Sequence, residues 1–299
     1  MSLQSNISSL REKIRSGRFI VTSELTPPKG TDLSKLFASA DQLSGSVDAV
    51  NITDSAGARM AACPLAVATL LAQHGMEPIM QMTARDRNRI ALQGDMLGAQ
   101  LLGIKNLVVM GGDPPKNGDH PEAKPVFDLF ASDILKAAAS LNNGTDMMGN
   151  ELKGNTSLYL GAVVNPGADD LDGEIQRMED KIKAGAQFFQ TQAVYDVDRY
   201  REFAKRVAKY DVAFLAGVIP LKSKGMANFL NEKVPGITVS DELIDEIDRA
   251  RDKETASIEI AARIVSAVSH YCQGVHMMAM GWDHLIPPII AASEVAGKT

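Results

Sequence analysis

Eight polar residues close or directly follow short β-rich runs: Glu24, Thr53, Asp54, Gln81, Thr83, Asp113, Asn165 and Gln192. Glu24 lies in Thr22-Ser23-Glu24-Leu25-Thr26-Pro27-Pro28. A positioned carboxylic acid can protonate a departing atom, and the same residue at a strand end can equally serve as a salt-bridged structural acid. Asp113 sits in Val109-Met110-Gly111-Gly112-Asp113-Pro114-Pro115. Aspartate before proline commonly builds a turn, while its charge could stabilise a developing cation. Gly111 and Gly112 can turn backbone N–H groups toward a phosphate or ring carbonyl. Gln192 brings a donor and an acceptor in one side chain, for a ligand or for the next loop. No metal constellation emerges: Cys63 and Cys272 are far apart without local histidine partners and read as buried thiols. Met277, Met278 and Met280 read as plastic core or pocket lining, and Trp282 as a rim residue or a stacking surface.

The elements that must position these residues alternate strictly. Residues 19–24 read as a strand, and residues 32–43 as a helix, with Leu33, Leu36, Phe37, Ala40 and Leu43 at helical spacing. Strands at 47–53 and 78–83 are followed by helices at 64–74 and 87–102. Gly75 and Gly103 stand where C-terminal caps belong. A strand at 106–110 leads through a long Gly/Pro-rich loop to a helix at 126–140. Strand and helix then pair at 158–164 with 174–184 and at 186–192 with 197–209. The seventh strand, 212–219, is followed by helices at 226–230, 241–251 and 258–271, so the seventh connection is elaborated. An eighth strand at 275–280 and a closing segment at 283–295 complete the pattern. Eight such units predict a single (β/α)8 barrel rather than an open doubly wound sheet. Chemistry then belongs at the C-terminal strand ends. Residues 1–18 read as a helical extension, with a short helix at 9–14, and residues 142–156 as a surface loop.

Bulk properties narrow the function classes. The 299 residues carry 31 basic and 37 acidic side chains, a net charge of −6, with no basic run interleaved with aromatics. That argues against a nucleic-acid partner. No apolar run approaches the roughly 18 residues of a membrane span. The N-terminus lacks the apolar core of a signal peptide, and two cysteines suit a reducing compartment. A cytoplasmic protein is expected, with no regulatory domain within these residues.

Several motifs occur in a family order: the Glu24 strand with its double proline, the Gly112-Asp113-Pro114-Pro115 turn, and Lys181 followed by Ala184-Gly185-Ala186. After them come Thr191-Gln192 before Val194-Tyr195-Asp196, then Gly217-x-x-Pro220, and Gly274-Val275-His276. This ordered set resembles the methylenetetrahydrofolate reductases over residues 15–295. The resemblance implies a flavin, FAD or alternatively FMN, over the barrel mouth. It would be reduced by NADH or NADPH and reoxidised by methylenetetrahydrofolate. It also implies roles: Glu24 as general acid, Asp113 beside flavin and pterin, and Gln192 on the pterin edge. Thr53, Gln81, Gly111, Gly112, Asn165, Glu174 and Lys181 would contact the cofactor, Lys181 near its phosphates.

Three positions depart from the family pattern. Gln81 stands where many relatives carry histidine, Gly111 where arginine often precedes Gly-Asp, and Asn165 where tyrosine commonly precedes proline. Two other readings stay open: a folate-binding barrel subunit that relies on a partner protein for electrons, and a pterin-dependent methyltransferase without redox chemistry. An oligomer or hetero-complex is expected.

Overall fold

The computed structural model describes residues 8–297. Eight parallel strands close a barrel in sequence order, with β8 pairing both β7 and β1. They are β1 (Ile20–Leu25), β2 (Ala49–Ile52), β3 (Pro78–Thr83), β4 (Asn106–Met110), β5 (Tyr159–Val164), β6 (Phe188–Ala193), β7 (Ala213–Val218) and β8 (Gly274–Met277). Around them run α1 (Ser9–Arg15), α2 (Ser34–Leu43), α3 (Pro64–Gln73), α4 (Arg89–Leu101), α5 (Ala131–Asn142) and α6 (Leu171–Lys183). The ring continues with α7 (Val197–Val207), α8 (Lys224–Lys233), α9 (Asp241–Arg249), α10 (Lys253–Val268) and α11 (Ile286–Ala292). The single (β/α)8 barrel and its elaborated seventh connection, α8 to α10, are as expected. No helix among the described residues is long and apolar enough to cross a membrane.

Strand side chains alternate between two cores. The outer core joins helices to barrel; the inner one holds Ile20, Ala49, Ile79, Val108, Tyr159, Phe188, Ala213 and Leu215. Phe188 stacks on Tyr159 with ring centroids 4.8 Å apart. Gly161 makes room for this: a Cβ there would lie 2.3 Å from the Phe188 ring. Beneath the barrel, α1 inserts fully buried Leu10 into the inner core. The expected N-terminal extension is thus, from residue 8 on, a plug; residues 1–7 of it lie outside the described residues.

Four boundaries differ from expectation for identifiable reasons. The helix expected at 126–140 begins at Ala131, because Val126 and Phe127 donate their N–H groups to Arg85 O and Ala84 O, with Phe127 at φ 41°. Asp133 then accepts the Phe130 N–H and caps α5. The last strand stops at Met277, since Met280 and Gly281 take φ of 52° and 83°. The closing segment is a 3-10 turn, Asp283–Leu285, followed by α11. α10 starts at Lys253, five positions before the apolar periodicity, under an Asp252 cap that accepts from Glu254 and Thr255 N–H. One side-chain expectation fails: Cys63 is exposed, at the N-cap of α3. Cys272 is half-buried, and desolvation of its thiol pushes the pKa up to about 11.

Candidate functional site

The C-terminal strand ends form a mouth whose first feature is Glu24. It occupies the inward-facing register of β1, two residues beyond Thr22 and four beyond Ile20. Its carboxyl has no hydrogen-bonding partner among the described residues; His276 Nε2 is 3.9 Å from Oε2, too far for one. Ringed by protein yet open over 20% of its side-chain surface, Glu24 has its pKa raised to about 7. Burial is the main cause and the nearby Asp283 charge the second. The salt-bridged reading of this acid does not hold. The result is a carboxyl poised between protonated and ionised near neutrality, as a general acid requires.

On the β2–β4 side, Thr53 is 3% exposed and its buried Oγ1 has no partner among the described residues. Gln81, 8% exposed and on the inward register of β3, has no hydrogen bond to its amide among the described residues. Gly112 has φ +90°, and a Cβ there would stand 2.9 Å from the Thr83 Cβ. Orphaned polar atoms above a backbone cradle suit a flat heterocycle with donors and acceptors on its edge, so these residues fit a flavin ring. Asp113 is exposed; its carbonyl accepts from Arg85 Nη1 at 3.4 Å while its carboxylate stays free of any ion pair among the described residues. Asp54 and Thr83 are spent on each other. Asp54 Oδ2 accepts the Thr83 N–H and hydroxyl, both at 2.8 Å, and pairs with Arg87.

On the β5–β6 side, Gln192 Oε1 accepts the Ala193 N–H at 3.0 Å, and its Nε2 donor has no partner among the described residues. The donor-plus-acceptor reading is therefore reduced to a donor with one remaining lone pair. Asn165 is consumed by structure: Oδ1 accepts from Gly167 N at 3.1 Å and Nδ2 donates to Pro235 O at 3.1 Å. Glu174 takes the Asn165 N–H and the Arg177 guanidinium. Lys181 is held against β5, its Nζ donating to Val163 O at 2.7 Å, and burial lowers its pKa.

Three features escape a motif-by-motif reading. Arg85, 3% exposed, ties Ser55 O to Asp113 O and so binds the β2 and β4 loops together. Those loops meet where Ser55 and Ala58 take φ of 48° and 56°, a strained run of the kind found beside binding sites. The β6–β7 register shifts between Gln190 and Ala193, and such irregularities re-aim side chains; a Cβ on Gly217 would lie 2.3 Å from Thr191 O there. Below Glu24, the inward positions carry a polar layer of Thr22, Asn51, Gln190 and His276. Period-2 reading of the strands would have exposed it. Trp282 lies on the rim under Lys222, whose Nζ is 4.8 Å from the ring centroid.

Residues 9–294 match the family model described as methylenetetrahydrofolate reductase. A 5,10-methylenetetrahydrofolate reductase of Pectobacterium carotovorum subsp. carotovorum is 26% identical over 81% of this chain and 79% of its own. Methylenetetrahydrofolate reductase 2 of Schizosaccharomyces pombe is 21% identical over 98% of this chain, which spans only 48% of that relative. Among solved structures, an uncharacterized protein from Clostridium thermocellum, said to bind two copies of 5-methyl-5,6,7,8-tetrahydrofolic acid, superposes with a TM-score of 0.66 at 18% identity. That likeness covers 97% of this chain and 100% of the other, and speaks to the fold. With the family model matched over nearly the whole barrel, this chain belongs to the methylenetetrahydrofolate reductase family.

Proposed function

We propose that this chain reduces 5,10-methylenetetrahydrofolate to the 5-methyl product, with a flavin, FAD or FMN, as hydride carrier and NADH or NADPH as donor. The observation that carries the reading is Glu24: an unpaired carboxyl at the mouth whose pKa of about 7 keeps a transferable proton at neutral pH. When bound, the flavin supplies the hydride. The chain's own work is orientation and proton handling. Thr53 and Gln81 meet the ring edge, Gly111 and Gly112 supply backbone, and Lys181 stands on the phosphate side. Glu24 gives its proton to the departing nitrogen of the substrate's five-membered ring, leaving an electrophilic iminium. The Asp113 carboxylate stabilises that cation by charge, and Gln192 Nε2 holds the pterin edge. The tetrahydrofolate said to be bound by the Clostridium thermocellum neighbour supports the substrate class.

Anaerobic spectroscopy tests this directly. The purified chain should be yellow or become so with added flavin, bleach with NADH or NADPH, and regain colour with methylenetetrahydrofolate as 5-methyl product forms. A protein that binds folate but no flavin would overturn it in favour of the methyltransferase reading. A second reading, electron delivery by a partner protein, is favoured by the outward face of α4. There Ile90, Leu97 and Leu101 are 78%, 36% and 87% exposed. Flavin-loaded protein inert to both nicotinamides would select it.

A further inference from the structure

Directly beneath Glu24 lies a buried imidazole for which proton delivery by Glu24 alone assigns no task. His276 is 4% exposed, on the inward register of β8. Its Nδ1 lies 3.0 Å from Thr22 Oγ1 and 3.4 Å from Gln190 Nε2. The amide of Gln190 is itself fixed by a reciprocal pair with Asn51: Asn51 Nδ2 donates to Gln190 Oε1 at 2.6 Å, and Gln190 Nε2 donates to Asn51 Oδ1 at 3.0 Å. One amide hydrogen of Gln190 is thereby spent on Asn51. The other points at the gap between Thr22 Oγ1, 3.5 Å away, and His276 Nδ1. An amide NH2 can only donate, so Gln190 favours an acceptor at Nδ1. The Thr22 hydroxyl is 3.0 Å from Nδ1 and 3.4 Å from Val275 O; donating over the shorter distance, it makes Nδ1 an acceptor and leaves the ring hydrogen on Nε2, which lies 3.9 Å from Glu24 Oε2.

We propose that His276 is a positioning residue for the acid. The Thr22–Gln190–Asn51 layer locks it as the Nε2–H tautomer, and its N–H marks Oε2 as the accepting oxygen of Glu24, so that the transferable proton sits on Oε1. This rests on the function proposed above and deepens it. When the Oε1–H bond breaks and its electron pair stays on the carboxylate, an approach of about an ångström brings Oε2 within hydrogen-bonding distance of that N–H. The donor is aimed in advance at charge that develops only as the proton leaves.

Among the described residues, the elements packed on His276 present one charged group to it. β1 offers Thr22 and Glu24, β2 Asn51, β6 Gln190 and β7 Gly217; Asp283, beyond β8, acts on Glu24. Burial moreover lowers the His276 pKa to about 4, which keeps the ring neutral.

The tautomer can be read on the wild-type chain without any ligand, by two-bond 1H–15N correlation of 15N-histidine-labelled protein. His276 is told apart from the other four histidines, which are solvent-exposed, by its resistance to a soluble paramagnetic agent. A neutral Nε2–H pattern, constant from about pH 5.5 to 8.5, is expected; an Nδ1–H or imidazolium pattern would overturn the proposal even in an active enzyme. In the folate half-reaction, His276→Phe removes a donor that stabilises ionised Glu24. The alkaline limb of the pH profile should then move up by about one unit, with the maximal rate about tenfold lower, and His276→Gln, which retains an N–H, should recover part of both. An unchanged limb in folded His276→Phe would also refute it. Failure of the chain to reduce folate, with the Nε2–H tautomer intact, would count against the reaction and not against this lock.

Discussion

A carboxyl whose pKa is raised by burial leaves a thermodynamic signature separate from catalysis. Glu24 ionises near 4.5 in the unfolded chain and near 7 in the folded one, so the native state binds more protons between those values. Stability is undiminished below pH 4.5, falls as pH rises through that window, and carries the full cost above 7. That cost is at most roughly 3 kcal/mol, since the side chain keeps some solvent. Glu24→Gln should therefore be more stable than wild type in urea denaturation at about pH 8 and indistinguishable at about pH 4.5; an equal difference at both would trace the effect to packing. The same variant should keep flavin reduction and lose ~100 to 10,000-fold in the folate half-reaction. At Gln192 the local bond to Ala193 N–H sharpens the expectation. Gln192→Glu keeps that acceptor and loses the open donor, so it should weaken folate binding as much as Gln192→Ala, by ~1 to 3 kcal/mol. Folate titration of the flavin spectrum would read this, and wild-type affinity in both variants would remove Gln192 from the substrate contacts. Glu24, Thr53, Gln81 and Gln192 were legible because strand ends in a barrel face the mouth. Arg85 was not, since its task is to join two loops whose meeting depends on left-handed turns at Ser55 and Ala58.

At the scale of elements, α1 shows how a local pattern can be read correctly and its purpose missed. Its seven residues carry a Ser8 cap accepting from Arg11 N–H, which makes them a helix by local rules. What those rules do not contain is the open barrel bottom that only a closed sheet creates. Leu10 fills it against Ile20, Ala49, Ile79 and Tyr159. Leu10→Ala should cost ~2 to 5 kcal/mol by leaving a cavity there. Glu24, at the opposite end of β1 from Ile20, should keep its titration. Chemical denaturation together with the pH profile of the folate half-reaction would check both halves, and a shifted profile would mean the plug and the mouth are coupled. Strand existence and order were legible throughout because eight apolar runs alternate with amphipathic ones. The start of α5 and the end of β8 were not, because loop-to-strand hydrogen bonds and positive φ values decide them.

The molecule as a whole divides its labour along the barrel axis, with packing at the N-terminal end and unpaired polar groups at the C-terminal one. Such groups cost stability in the ligand-free chain and are recovered only when something fills the mouth. Thr53 isolates the effect, because its Oγ1 is buried without a partner among the described residues and a valine would occupy the same volume. In the absence of flavin, Thr53→Val should be more stable than wild type by about 1 kcal/mol, the desolvation penalty of one unmade hydrogen bond. Flavin at about one hundred times its Kd adds ~2.7 kcal/mol to a protein that binds it only when folded. In the variant that increment should shrink, because the lost hydroxyl is the group the ring edge would have satisfied. Thermal melts with and without FAD or FMN would then show the variant above wild type when empty and a smaller flavin-induced upward shift in the variant than in wild type. An identical flavin increment in both would show that Thr53 points past the cofactor, and the β2 end of the proposed ring site would have to be redrawn around Gln81 and the Gly111-Gly112 turn.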